Sequence, residues 1–153
     1  MKRTSIVFFI TFLFLIIMSA CKEYVYMDWQ LMNDQWYATH KSDSAFIKTP
    51  SGLCYKVIHQ GYQGRPNIND FIVVTYKGTL IDGSTFDSKT NYELQLSGIK
   101  GWIEGIPKMD VGSHYKFYIP SNLGYDTIST IAAIPPHSVL IFDVNLIDKN
   151  PVH

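Results

Sequence analysis

The apolar residues of this chain follow three rhythms. The first is continuous: Lys2 and Arg3 precede Ile6–Ile17, in which Thr11 alone is not apolar, and Met18-Ser19-Ala20-Cys21 follows. The second is helical. Between Tyr24 and His40, Met27, Leu31, Trp36 and Tyr37 recur at mixed helical spacings with Asp28 and Asn33 between them. That spacing predicts a short amphipathic helix ending before Lys41-Ser42-Asp43-Ser44, or a tether that folds only in part. From Thr49 the period is two: Leu53, Tyr55 and Val57 alternate with Cys54, Lys56 and Ile58, and residues Gly61 to Pro66 supply a loop. Phe71–Tyr76 is β-branched and aromatic and predicts a strand, Asp82-Gly83 a turn, and the alternation of Tyr92, Leu94 and Leu96 another strand. Trp102, Ile103 and Ile106 sit at helical spacing in a short segment, and Tyr115–Ile119 and Val139–Ile147 read as two further strands. Many antiparallel strands with one short helix make an α+β domain.

Composition adjusts this picture at the N-terminus. The 153 residues hold 13 basic and 13 acidic side chains, with 46% hydrophobic and 14% aromatic residues. One domain with ample core material is expected, and neither global disorder nor the basic surface of a nucleic-acid binder. The apolar run at 6–17 falls short of the ~20 residues that span a bilayer. Its basic flank and small C-terminal residues follow the plan of a secretory signal, with an uncleaved anchor as the competing reading. Without Lys2 and Arg3, eleven basic face thirteen acidic side chains. The chain then divides into a signal peptide (1–20), a tether with or without its helix (21–48), a folded domain (49–149) and a short tail (150–153).

Met18-Ser19-Ala20-Cys21 resembles a bacterial lipobox. The resemblance implies that Cys21 is lipidated and anchors the domain to a membrane of the cell envelope; Lys22 in place of Asp favours the outer membrane of a Gram-negative bacterium. An ordinary secretory signal ending beside a Cys is the alternative. With Cys21 lipidated, Cys54 has no intrachain partner and reads as a small buried or half-buried thiol rather than a reactive site. The five His are scattered, so neither a zinc site nor any other metal or cofactor is expected.

Catalytic motifs of the usual kinds do not occur: no nucleophile elbow, phosphate loop, metalloprotease helix or dinucleotide glycine pattern. Asp82, Asp87, Glu104 and Asp143 read as turn, cap or surface residues rather than as a converging pair of acids. What stands out is the placement of aromatic residues: Tyr76 at a strand end, Phe86 after a turn, Trp102 opening a helix, Tyr125 in a loop and Phe142 within a strand.

Together these residues resemble a family. Val74-Thr75-Tyr76-Lys77-Gly78-Thr79-Leu80-Ile81-Asp82-Gly83-Ser84-Thr85-Phe86-Asp87-Ser88 looks like the hallmark segment of FKBP-type peptidyl-prolyl isomerases. Gly101-Trp102-Ile103-Glu104-Gly105, Ile119–Tyr125 and Ile134–Val144 follow in the family's order, and Thr49–Tyr55 resembles the first strand of its bacterial envelope members. The resemblance covers about Thr49–Lys149. It implies a twisted antiparallel β-sheet wrapped around one short α-helix, with an apolar pocket for a prolyl ring on the concave side. Transferred by position, Trp102 forms the pocket floor, Tyr76, Phe86, Tyr92, Ile99 and Phe142 its walls, and Asp87, Tyr125 and Ile134 its rim. The Ile99 N–H and the Tyr125 hydroxyl would meet ligand carbonyls, and Asp87 would orient Tyr76 or a rim group.

The implied activity is rotation of X–Pro bonds in folding envelope or secreted proteins. Proline-containing polypeptides would be substrates and macrolides a class of inhibitor; the alternative is a catalytically weak protein-binding or chaperone module built on the same pocket. Five features depart from the family pattern. Gly98 stands where a branched aliphatic is usual, Asp126 replaces the Gly after the rim Tyr, and Thr127–Ala133 lacks the usual glycines. Ser88–Asn91 looks shortened, and the basic residue that often accompanies Asp87 has no counterpart closer than Lys89.

Overall fold

The alternation read along the C-terminal strands is the alternation of burial. In a computed structural model that describes residues 27–127 and 133–150, Tyr115, Phe117 and Ile119 point inward while His114, Lys116 and Tyr118 are partly exposed. Leu140, Phe142, Val144 and Leu146 do the same on the neighbouring strand. Such a pattern belongs to an antiparallel sheet with one face packed and the other in water. Six strands build it: β1 (Ile47–Lys48), β2 (Cys54–His59), β3 (Phe71–Thr79), β4 (Thr85–Gln95), β5 (His114–Ile119) and β6 (Leu140–Lys149). They lie in the order β1-β2-β5-β6-β3-β4, and every neighbouring pair is antiparallel. The fold is α+β, as expected.

Two helices accompany the sheet. The first, α1, covers residues 27–40, and the second, α2 (Lys100–Gly105), runs on into a 3₁₀ turn at Ile106–Lys108. Packing seats α2. A Cβ built on Gly101 would lie 2.6 Å from Ile119 Cγ2, and one on Gly105 2.7 Å from Phe117 Cε1. The two glycines, four residues apart on one helix face, therefore let the helix backbone rest directly on β5. Each costs about 1 kcal/mol of helix propensity relative to Ala, which the close approach must offset. Leu53, Ile72, Leu96, Ile106, Met109 and Leu146 fill the core around this contact.

The α1 helix buries only part of the face its apolar spacing suggested. Met27 and Leu31 are exposed, whereas Trp29, Trp36 and Tyr37 turn inward and Asn33 is fully buried. An amide is tolerated there because both of its ends are bonded: Nδ2 donates to Trp29 O at 2.8 Å, and Oδ1 accepts the Val139 N–H at 2.8 Å. Trp36 stacks on His40 and meets Tyr118 edge-on, while the Tyr37 hydroxyl donates to Gly52 O. Residues 27–40 are thus docked on the sheet. Asp43 then reverses the chain, its Oδ1 accepting the Ala45 N–H at 2.8 Å.

Candidate functional site

Beside α2 and the inner face of β3, β4 and β6 lies an open cavity of about 230 Å³. Tyr76, Phe86, Asp87, Ile99, Trp102, Tyr125 and Phe142, all read from the sequence as site residues, line it. Its volume is below the ~300–1,000 Å³ of pockets that enclose drug-sized ligands, and suits a group of side-chain size.

Local irregularities bring these residues together. Phe86 and Asp87 are consecutive, so a regular strand would send them to opposite faces. Gly78 pairs with Asp87 and Thr79 with Thr85, which leaves Phe86 as the extra residue of a bulge. The bulge re-aims the strand, and both side chains reach the cavity. A second irregularity sits where the sequence looked shortened: Val74 pairs with Tyr92 but Tyr76 with Lys89. Thr90 and Asn91 together face Thr75 in a bulge, where Asn91 takes a φ of 47° and its N–H bonds Thr75 Oγ1 at 3.0 Å.

The aromatic wall is packed by edges. Trp102 meets Tyr76 at 5.1 Å and Phe142 at 5.3 Å between centroids, and Phe86 meets Phe142 at 5.4 Å, all T-shaped. Each such pair contributes about 0.5–1.5 kcal/mol beyond its area and holds ring orientations. Gly78 makes the last pair fit, since a Cβ there would stand 2.6 Å from Phe86 Cζ and 3.0 Å from Phe142 Cε1. Trp102 is buried as the floor, and its indole N–H has no hydrogen-bond partner among the described residues.

Polar chemistry in the cavity is sparse. Asp87 is the charged residue of the lining, and its Oδ2 accepts the Tyr76 hydroxyl at 2.5 Å. Burial, then the bond to Asp87, pushes the Tyr76 phenol well above its usual range. Burial, followed by the Asp87 charge, also raises Tyr125. Both hydroxyls therefore stay protonated donors at neutral pH. Ser97 lines the cavity too, but its hydroxyl donates to Gln95 O at 3.2 Å, and among the described residues no His lines the cavity to activate it. The other acids are dispersed: Asp82 Oδ1 accepts Ser84 groups in the β3–β4 turn, Glu104 accepts Ser51, and Asp143 pairs with His114.

Two of the residues expected to bind substrate lie outside the lining. Tyr92 is 44% exposed, and Leu94 lines the cavity in its place. The two share a face of β4, and Leu94 is two positions nearer α2. Ile134 is buried in the core cluster. Leu94 and Ser97 are lining residues that the sequence did not single out; the alternation of Tyr92, Leu94 and Leu96 carried the signal for Leu94, and nothing marked Ser97. Gly98, noted as a departure, lines the cavity with a φ of 95°. Cys21 lies outside the described residues.

Residues 63–147 match the profile of the FKBP-type peptidyl-prolyl cis-trans isomerases. Over 111 residues the chain is 44% identical to FKBP-type peptidyl-prolyl cis-trans isomerase FkpA of Escherichia coli K12, covering 69% of this chain and 41% of that protein. It is 37% identical over 119 residues to outer membrane protein MIP of Legionella longbeachae, covering 74% of this chain and 51% of the relative. The chain thus spans about half the length of these curated relatives. The crystal structure of Escherichia coli FkpA superposes with a TM-score of 0.79 at 33% identity, over 87% of this chain and 64% of that one. A profile match over more than half of the chain, with relatives 44% and 37% identical, shows that the chain belongs to the family of FKBP-type peptidyl-prolyl cis-trans isomerases.

Proposed function

We propose that this protein accelerates cis–trans rotation of X–Pro bonds, with the prolyl ring seated on Trp102 between Tyr76, Phe86 and Phe142. The observation that carries this reading is a cavity walled by aromatic rings whose one carboxylate is already engaged by Tyr76. Such a site has no group placed to break a covalent bond, and amide rotation needs none. The barrier is ~18–20 kcal/mol because the twisted amide loses its resonance. Reducing a wait of tens of seconds to milliseconds takes a factor of about 10^4–10^5, or ~6–7 kcal/mol.

Three contributions supply it. The planar amide is more polar than the twisted one, so an apolar cavity that strips its water raises the ground state relative to the transition state. The aromatic walls fix the ring while the chain before it turns. The Tyr125 hydroxyl and the Ile99 N–H hold neighbouring carbonyls in a pose compatible with the twist. Asp87 positions Tyr76 and moves no proton.

A tetrapeptide with a hydrophobic residue before Pro tests the reading on residues 22–153. Accelerated cis-to-trans conversion is expected, with a loss of at least about tenfold in Phe142→Ala and Trp102→Ala, or about 1.4 kcal/mol of transition-state stabilisation. No acceleration at micromolar protein would leave a binding module.

Placement in the bacterial envelope follows from the outer membrane protein name of the Legionella longbeachae relative and from the lipobox-like segment of this chain. Among the described residues no helix is long and apolar enough to cross a membrane. A diacylglyceryl group on Cys21 would hold the domain instead, each buried CH2 contributing ~0.8 kcal/mol. Proline-containing segments of envelope proteins are then the substrates, and macrolides would compete for the cavity. Metabolic palmitate labelling should disappear in Cys21→Ser; labelling that persists would exclude the anchor.

A further inference from the structure

The docked face of α1 ends on the segment that leads into β6, whose Phe142 lines the cavity. Trp29 Nε1–H donates to Ser138 Oγ at 2.9 Å, and Asn33 Oδ1 accepts the Val139 N–H at 2.8 Å. Ser138 Oγ–H passes the constraint on to Pro135 O at 2.6 Å. One residue away, the His137 N–H bonds Asp126 O at 2.8 Å, and the Asp126 N–H bonds Ser121 O at 2.8 Å. Asp126 follows Tyr125, which lines the cavity. Hydrogen bonds therefore run in relay from a helix outside the sheet to the residue beside the rim hydroxyl.

The backbone of that segment gives an independent reason why an outside hold is needed. Asp126 and His137, joined to each other by the His137 N–H, both occupy the left-handed region, with φ of 53° and 62°. Side-chain-bearing residues there persist where the surroundings over-determine them, and such conformations gather at functional sites. The Asn33 amide supplies part of that hold. Its Nδ2 is spent on Trp29 O, which leaves Oδ1 facing Val139.

We propose that Trp29 and Asn33 are positioning residues for the proline site, and that α1 sets the place of Tyr125 through Ser138, Val139, His137 and Asp126. This rests on the isomerase reading for its consequence but not for its geometry.

The test uses the full chain without its leader. Trp29→Phe keeps an aromatic ring and removes the donor; Ser138→Ala removes its acceptor, and Ser138→Thr restores a hydroxyl. KM for a proline tetrapeptide should rise about threefold or more in Trp29→Phe and Ser138→Ala with kcat little changed, and recover in Ser138→Thr. The backbone amide resonances of Tyr125 and Asp126 should shift while those of Phe86 and Asp87 stay in place. In a Tyr125→Phe background, Trp29→Phe should add no further increase, because both changes act on one interaction. A lowered melting temperature with KM and the Tyr125 and Asp126 resonances unchanged would reduce α1 to a brace and overturn the proposal. If the parent protein proves inactive, the isomerase reading fails by itself, and the resonances together with the binding constant of the same peptide still decide this one.

Discussion

The Tyr76 hydroxyl donates to Asp87 Oδ2 across 2.5 Å, so the acid of the cavity is turned onto a wall residue. Hydrogen bonds to charged groups contribute about 1.5–3 kcal/mol, enough to hold the phenol ring in one orientation. Asp87→Asn keeps an acceptor for the Tyr76 O–H and should retain more than about half of kcat/KM, whereas Asp87→Ala should lose roughly tenfold. Peptide isomerisation assays on the two variants separate positioning from proton transfer: equal losses in both would require the carboxylate itself.

Gly78 offers a steric test of the cavity wall. Its missing Cβ is what allows Phe86 and Phe142 to meet across β3. Gly78→Ala forces the Phe86 ring away, at about 1–3 kcal/mol of overpacking. Denaturant unfolding should register that loss, and kcat/KM should fall by more than about tenfold because the wall itself has moved.

Alkaline pH should act on stability before it acts on the site. Burial first, and Asp87 second, raises the Tyr76 phenol, and burial also raises Tyr125. In the unfolded chain both return to the ordinary value of roughly 10. A group raised on folding contributes stability that is fully present below its unfolded pKa and lost as pH climbs through the higher folded one. Urea midpoints should therefore hold steady up to about pH 10 and fall above it, while kcat/KM stays flat from about pH 6 to about pH 9. A break in activity near neutral pH would contradict a site in which no proton moves.

Backbone conformation separates two substitutions that look alike. Asp126 carries a side chain at a φ of 53°, while Gly98, at 95°, has open space where a Cβ would stand. Asp126→Gly should be neutral to stabilising, because glycine reaches the left-handed region without steric cost. Gly98→Ala should destabilise by about 1 kcal/mol although its methyl group touches nothing. Thermal melts of the two variants should move in opposite directions or, for Asp126→Gly, not at all.

The strands and α2 were legible because each leaves a local mark, and most of the cavity lining was legible through the family resemblance. Period-two alternation marks β5 and β6, and Trp102, Ile103 and Ile106 at helical spacing mark α2. Less visible were features that depend on what a residue meets in space. Asn33 looks like an outward residue until the Val139 N–H, 106 positions away, is found against its amide. Tyr92 and Leu94 share one strand face, so alternation could not tell which of them lies level with Trp102. Bulges at Phe86 and Thr90 shift register locally, and the composition of β4 gives no sign of them.

Tyr37 of α1 sits over Cys54, with its oxygen 3.5 Å from the sulfur, and the thiol is fully buried. In a protein freed of Cys21, Cys54 is the sole thiol of the chain. Its reaction with a soluble disulfide reagent must wait for the helix to lift, so the labelling rate is a clock for local opening at this face. Labelling that slowed when a proline peptide was bound would show that the occupied cavity grips the helix in return.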